Sequence, residues 1–424
     1  MAARLANQEV GVAKLATAAV PKCGVVVVLA MLALVGSVAM DAGQAPTIRS
    51  STDLFRVDVD VIDRDGNPIA GLTPDQFDVE IAGRKHAVQI ADFVVFRPGS
   101  RAAPLPPSPT TPPQTTSTST PTVDRPQRLF MIAVDAQSFR PESVRGLAVT
   151  AQQFIRTLNP DDLVGLYTYP LGPKVEPTTD HASVVASLDK VSGQKLPTGE
   201  CNIRSSDYVD WYPARPEERR AISSRYNCPG VIFPVEIETR IAMFEAQAQA
   251  TLGSLRALVG GLSVVPGRKV VVLITAGLPT TDRPGGRPDI GNLPIELGEI
   301  TARANVSLHT LFVDNSVLSS FSAEERQRPG GPNLARDADV AERWVDLFTG
   351  AAGGAFSKVL TGSGEQAFDR LTRESSAYYL LGIDVAAQDR TGRPLRMTVK
   401  VRQKGVTVRY RPWVSVPKTT YNER

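Results

Sequence analysis

Three nearly unbroken apolar runs fix what this chain can fold into. Leu129 to Val134 (LFMIAV), Lys269 to Thr275 (KVVVLIT) and Ser307 to Val313 (SLHTLFV) lack the alternation of a half-exposed strand. Strands covered on both faces read this way, and they occur in parallel sheets flanked by helices. The segments between them have helical spacing: Pro141 to Leu158 puts Val144, Leu147, Ala151, Phe154 and Ile155 on one stripe. Further helices are expected at Ala182 to Val191, Glu238 to Leu262 and Glu296 to Ala304, and a strand at Leu163 to Tyr169. Residues 128–376 therefore predict an α/β domain with a doubly wound, mainly parallel sheet, whose ligands bind at the carboxyl ends of the strands.

The flanks have period two instead. In residues 53–97, Val57, Val59 and Val61 share a face, as do Phe77, Val79 and Ile81, then Val88 and Ile90. About four short strands are expected there, and about three more in residues 377–415, at Tyr379 to Ile383, Leu395 to Val401 and Val406 to Tyr410. Together they match the strand count of one immunoglobulin-like β-sandwich with the α/β domain inserted between its halves; two separate small β units are the alternative. Residues 98–127 (including PLPPSPTTPPQTTSTSTPT) are too rich in Pro, Thr and Ser to pack a core and read as a linker.

Residues 1–39 have the layout of a secretory signal peptide: Arg4, Lys14 and Lys22 precede the uncharged stretch GVVVVLAMLALVGSVAM, which holds the small-residue triplet Ser37-Val38-Ala39. An uncleaved anchor is the alternative, since about 17 apolar residues is the lower limit of a membrane span. Either way the remainder is expected outside the cytoplasm, in the periplasm, on the cell surface or secreted. Lys+Arg 47 against Asp+Glu 44 gives a net charge of +3. A field that weak recruits neither nucleic acid nor an anionic membrane, so membrane contact is expected only through an uncleaved anchor. Beyond the signal two cysteines remain, Cys201 and Cys228; an oxidising compartment lets them pair, and two buried or free thiols are the alternative.

Several phrases in order, FRVDVDVIDRDGNPIAGLTPDQFDVEIAG, LRALVGGLSVVPGRKVVVLITAGLP, LFTGAAGGAFSKV and ESSAYYLLGIDV, make the chain similar to the bacterial secreted VWFA-related family of acidobacterial type, and the domain resembles a von Willebrand factor type A domain. That resemblance implies a Mg²⁺ site at the top of the sheet, formed by an Asp-x-Ser-x-Ser loop, a Thr from a second loop and a later Asp. Mg²⁺ needs octahedral oxygen ligands at about 2.1 Å. Here the loop reads Asp135-Ala136-Gln137-Ser138-Phe139, with Gln137 and Phe139 at the serine positions and Ser138 out of register; Ala276 stands where the second acid belongs, and Thr198 is a possible loop threonine. The metal site is thus expected to be degenerate, with no cofactor required, unless Asp282 or Asp314 rebuilds it. The alternative reading of Asp135 is a loop carboxylate accepting backbone N–H bonds.

Other chemistry is sparse. His86, His181 and His309 are far apart in sequence, and no nucleophile elbow, phosphate loop or dinucleotide fingerprint is present. The glycine pairs Gly260-Gly261, Gly285-Gly286 and Gly353-Gly354 read as helix ends or loops. An insertion at residues 196–237 gathers Tyr208, Trp211, Tyr212, Arg219 and Arg225, the composition of a recognition surface; a self-packed lid is the alternative. The expected function is a secreted, noncatalytic module binding a protein or surface polymer through the upper loops and the insertion. A Mg²⁺-dependent adhesion domain is the second reading, and an enzyme, for which no constellation of residues stands out, the third.

Overall fold

The computed structural model describes residues 54–96, 128–141, 143–195, 201–226, 228–314, 334–360 and 364–418. The expected signal and the Pro-rich segment lie outside them, as does Thr198. Among the described residues no helix is long and apolar enough to cross a membrane.

A mixed six-stranded sheet is built from β5 (Leu129–Asp135), β6 (Leu163–Tyr169), β7 (Lys174–Thr178), β8 (Lys269–Thr275), β9 (Val306–Asp314) and β10 (Gly353–Leu360), in the order β10-β9-β8-β5-β6-β7. All neighbours are parallel except the β6–β7 pair. Alternate residues of each buried strand face opposite layers. Phe130, Ile132 and Val134 pack under α1 (Arg145–Thr157), α2 (His181–Leu188) and the chain's last helix at Glu365–Glu374. Met131, Ala133, Val271 and Leu273 pack under α5 (Phe233–Leu262), α6 (Leu293–Ala304) and α7 (Leu334–Ala351). The helix after α7, Glu365–Glu374, is α8; α3 (Ser205–Trp211) and α4 (Pro216–Ser224) lie in the insertion.

The chain ends form two antiparallel four-stranded sheets. In one, β1 (Phe55–Ile62) runs between β13 (Thr407–Tyr410) and β11 (Ala377–Ile383), with β4 (Val88–Val95) outside β11; in the other, β12 (Pro394–Val401) and β2 (Phe77–Ile81) lie between β14 (Trp413–Ser415) and β3 (Arg84–His86). N- and C-terminal strands pair directly, Phe55 with Ile383 and Val79 with Val399. Val57, Val59, Ile81, Leu381, Met397 and Val414 from both sheets fill one core. The count is eight strands instead of about seven, because Trp413–Ser415 adds a short edge.

Buried charges join this β module to the α/β domain. Arg268, just before β8, reaches Asp60 of β1 through two hydrogen bonds, Nη1 to Oδ1 at 2.7 Å and Nη2 to Oδ2 at 2.6 Å, with both side chains buried. Its guanidinium also lies 5.0 Å from the centre of the Tyr378 ring. Beside it, Arg411 stands 3.7 Å from Asp58, and Arg409 reaches Glu374 of α8 at 3.1 Å. All the described residues belong to one compact unit, Ser51–Arg424.

Several expected boundaries shift. The long helix begins at Phe233, with Pro234 in its first turn where a missing N–H costs nothing, so the insertion ends sooner than expected. The first helix starts at Arg145 instead of Pro141. Gly260 and Gly261 lie within α5, and Gly353-Gly354 opens β10. At Gly354 the chain passes the Leu308 carbonyl so closely that a Cβ would stand 1.8 Å from its oxygen.

Candidate functional site

Strands β5, β6 and β8 end side by side at Asp135, Tyr169 and Thr275. Asp135 is 1% exposed. Thr275 Oγ1 donates to its Oδ2 at 2.9 Å and accepts from the Gly277 N–H at 3.0 Å. Ser138 Oγ donates to the Asp135 carbonyl at 2.8 Å and accepts from the Ala276 N–H at 2.9 Å. Gln137 reaches the other way, from Nε2 to Thr251 Oγ1 of α5 at 3.1 Å. Phe139, at the second serine position, is fully buried in the core under α1. Gly277 makes the return turn with φ +80, and a Cβ there would stand 2.2 Å from the Ala341 carbonyl oxygen of α7.

Asp135 therefore sits in a closed hydrogen-bonded ring and does not cap the short helical turn that follows it. Burial is the largest influence on its carboxyl and pushes its pKa up to about 7, against the opposing pull of hydrogen bonds from Thr275 and Ser138. Oδ1 is buried without a partner, as is the hydroxyl of Tyr169 beside it. Burial, then the neighbouring Asp135 charge, drives the Tyr169 hydroxyl well above its usual range.

These residues do not fit Mg²⁺. One carboxylate is present, the Ser138 and Thr275 hydroxyls are engaged within the protein, and Ala276 offers no oxygen from its side chain. The acids that could rebuild the site are held elsewhere. Asp282 is clamped by Arg336 through hydrogen bonds of 2.8 and 3.0 Å, which hold its carboxyl below the usual range, and Asp314 lies 3.4 Å from Lys358 Nζ. Among the described residues no group of three His, Cys, Asp or Glu side chains could hold a metal ion.

Of the residues expected to form a partner surface in the insertion, Tyr208 and Trp211 turn inward, whereas Tyr212 and Arg219 are half-buried and Arg225 is exposed. Tyr208 and Trp211 are buried with Ile203, Ile237 and Ile241; Trp211 packs on Phe233 at 5.3 Å between ring centres and Tyr208 on Phe244 at 5.7 Å. Arg219 donates to the Trp211 and Tyr212 carbonyls at 3.0 and 2.8 Å. Arg225 pairs with Asp207 at 2.9 Å. Tyr212 donates to Glu238 and accepts from Arg287 Nη1 at 2.7 Å. Cys201 and Cys228 are joined as a disulfide, with Cα atoms 5.5 Å apart. Arg204 and Arg336 tie the insertion to α7 and its surroundings through Asp337 and Asp210.

The exposed part of the rim is different. Residues 191–195 lace onto the loop after β5, Gln194 N–H to the Ala136 carbonyl at 2.7 Å and Lys195 N–H to the Phe139 carbonyl at 2.8 Å. Gln194 Nε2 donates to the Leu171 carbonyl at 2.6 Å. This brings exposed Arg140 and Lys195 to the same rim as Leu171, whose side chain is 72% exposed.

The three histidines stay apart. His86 lies 3.3 Å from Asp389 and His181 contacts the Asp162 carbonyl at 2.8 Å. His309 is buried at the junction, where desolvation and then Arg409 and Arg268 lower its pKa to about 3. The sequence singled out Asp135, Gln137 and Ser138 but missed Thr275 and Tyr169. The signal available was that each bears a hydroxyl at the last position of a strand of the central sheet.

No protein-family model matches the chain, and no curated protein matches it. Among solved structures, that of the human COPII-coat protein Sec24c aligns with a TM-score of 0.23 and 12% identity, over 70% of this chain and 44% of that one. So loose a superposition carries no argument about fold or function.

Proposed function

We propose that this chain is an extracytoplasmic, noncatalytic interaction module, a type A-like domain carried on an immunoglobulin-like sandwich, that binds a protein or surface polymer through its rim. The observation that carries this reading is the closed ring around Asp135: groups that would hold a divalent ion bind one another, so surface contact is the use left to this end of the sheet. The disulfide is compatible with an oxidising compartment. The contact surface is the patch of Arg140, Lys195 and Leu171, an exposed apolar side chain beside two cations.

The test is a pull-down of surface material with the mature chain against Leu171→Asp and Lys195→Glu. Loss of captured material in both variants, with unchanged circular dichroism, supports the reading; undiminished capture refutes it. A Mg²⁺-dependent adhesion domain is the second reading, resting on the unpartnered Oδ1 of Asp135. Titration calorimetry with Mg²⁺ and Mn²⁺ decides it, since a binding isotherm abolished by Asp135→Asn would replace the first reading with the second.

A further inference from the structure

Helix α5 leaves one long face open to solvent. The charged residues of this 30-residue helix are paired within the chain, Glu236 with Arg240, Glu238 and Glu245 with Arg287, and Arg256 with Glu296. None of them stands on the line that runs along the helix through Ala246. At 3.6 residues per turn, positions four, seven and eleven away from a residue share its face, whereas those eight or ten away lie to the side. Ala242 and Ala250, Thr239 and Gly253, and Val235 and Ala257 thus flank Ala246 symmetrically, and all of them are exposed.

The two ends of this face differ. Ile232 and Val235, at the N-terminal end, are large apolar side chains that are 70% and 57% exposed. Toward the other end stand Gly253 and Gly260, although glycine inside a helix costs stability relative to alanine. A Cβ on either would meet nothing within 4 Å, so among the described residues no close approach calls for them.

We propose that α5 is where two copies of this chain join, antiparallel about a two-fold axis beside Ala246. A two-fold contact must be self-complementary. In this register Val235 lies over the partner's Ala257, Thr239 over the partner's Gly253 and Ile232 near the partner's Gly260, so each larger side chain meets a small one or none. The separation of two packed helices is set by the side chains at their contact, and this set lets the backbones come close. Glu238 and Arg256, with side chains 53% and 56% exposed, stand on one flank of the helix, eight residues before Ala246 and ten after it. The axis therefore brings each Glu238 beside the partner's Arg256, opposite charges on the rim of the contact. A second copy is the occupant because the bulky end and the glycine end belong to one helix and match when that helix meets itself reversed.

The helix is about 45 Å long, and a contact about 12 Å wide covers roughly 500 Å² on each copy. The total of about 1,000 Å² is at the lower bound of a specific interface, so the dimer is weak and forms with concentration.

Light scattering on the size-exclusion peak of the mature chain, across a dilution series, tests this. The mass is expected to rise from one chain toward two. Val235→Glu and, separately, Gly253→Leu change exposed positions; each is expected to hold the mass at one chain throughout, with the thermal midpoint of the dilute protein unchanged or, for Gly253→Leu, higher. On mild oxidation Ala246→Cys is expected to cross-link two copies, whereas Thr239→Cys, about 21 Å from its counterpart in this register, is not. Should either substitution lower the midpoint, the two cysteine variants decide. A single-chain mass at every concentration overturns the proposal. So does a dimer that survives both substitutions, or a cross-link through Thr239→Cys in place of Ala246→Cys, which a parallel pairing or another register would give.

Discussion

Replacing Asp60 by Asn would remove one charge from the best-formed contact between the β module and the α/β domain. The Arg268 guanidinium would remain buried, with its two hydrogen bonds of 2.7 and 2.6 Å weakened or lost. Breaking a buried ion pair from one side costs about 3–5 kcal/mol, because an uncompensated charge is left in a poorly solvated place. Asp58 lies in the same cluster and keeps some negative field on Arg268, so the lower end, about 3 kcal/mol, is expected. Replacing both residues, Asp60→Leu with Arg268→Met, removes the orphaned charge and is expected to cost far less than either single change. The assay is equilibrium urea unfolding followed by circular dichroism and by the fluorescence of Trp211 in α3, Trp344 in α7 and Trp413 in β14. Coincident transitions from the two probes are the condition for quoting one free energy. A loss below about 1 kcal/mol for Asp60→Asn, the level of an exposed surface pair, would refute the claim that this contact is desolvated.

Asp135 carries a pH prediction. Its carboxyl is raised from an ordinary 3.8 to about 7, so between those values the folded state keeps a proton that the unfolded chain has lost, and stability falls as pH rises through that window before levelling off above it. At about 1.4 kcal/mol per unit, up to roughly 4 kcal/mol is involved. Asp135→Asn is expected to match the wild type near the acid end of the window and exceed it in melting temperature above neutrality; parallel stability curves would contradict this. Thr275→Val takes a donor from Asp135 and an acceptor from the Gly277 N–H, and is expected to cost about 1–3 kcal/mol in urea unfolding. Cys201→Ser opens a bridge spanning 27 positions and is expected to cost about 3 kcal/mol, an effect that reductant should reproduce in the wild type but not in the variant.

The most legible parts of the fold were those with a single physical cause. Leu163–Tyr169 and Lys269–Thr275 are strands to the residue, because the layers on both faces of the sheet cover them along their length. β10 was hidden by Gly353-Gly354, a pair that looks like a turn but serves a close passage of backbone past Leu308. β7 contains Pro177 and two charges, so nothing in its composition marks a strand; its place at the sheet edge is what tolerates them. In the insertion, composition alone does not separate core from surface, since Tyr208, Trp211 and Tyr226 share one core with Ile203, Ile222, Ile237 and Ile241. In the candidate site the sequence marks Asp135, Gln137 and Ser138; that Thr275 and Ser138 close on Asp135 depends on three-dimensional contacts no spacing encodes.

The pairing of Phe55 with Ile383 also bears on how the protein is made. β1 leaves the ribosome long before β11 exists, so the first strands must pass through synthesis with their apolar faces uncovered, and the middle domain has to form while they wait. The last strands to emerge act as a completeness check, since a chain truncated before Ala377 lacks β11 to β14 and cannot close the sandwich, however well its central sheet has formed.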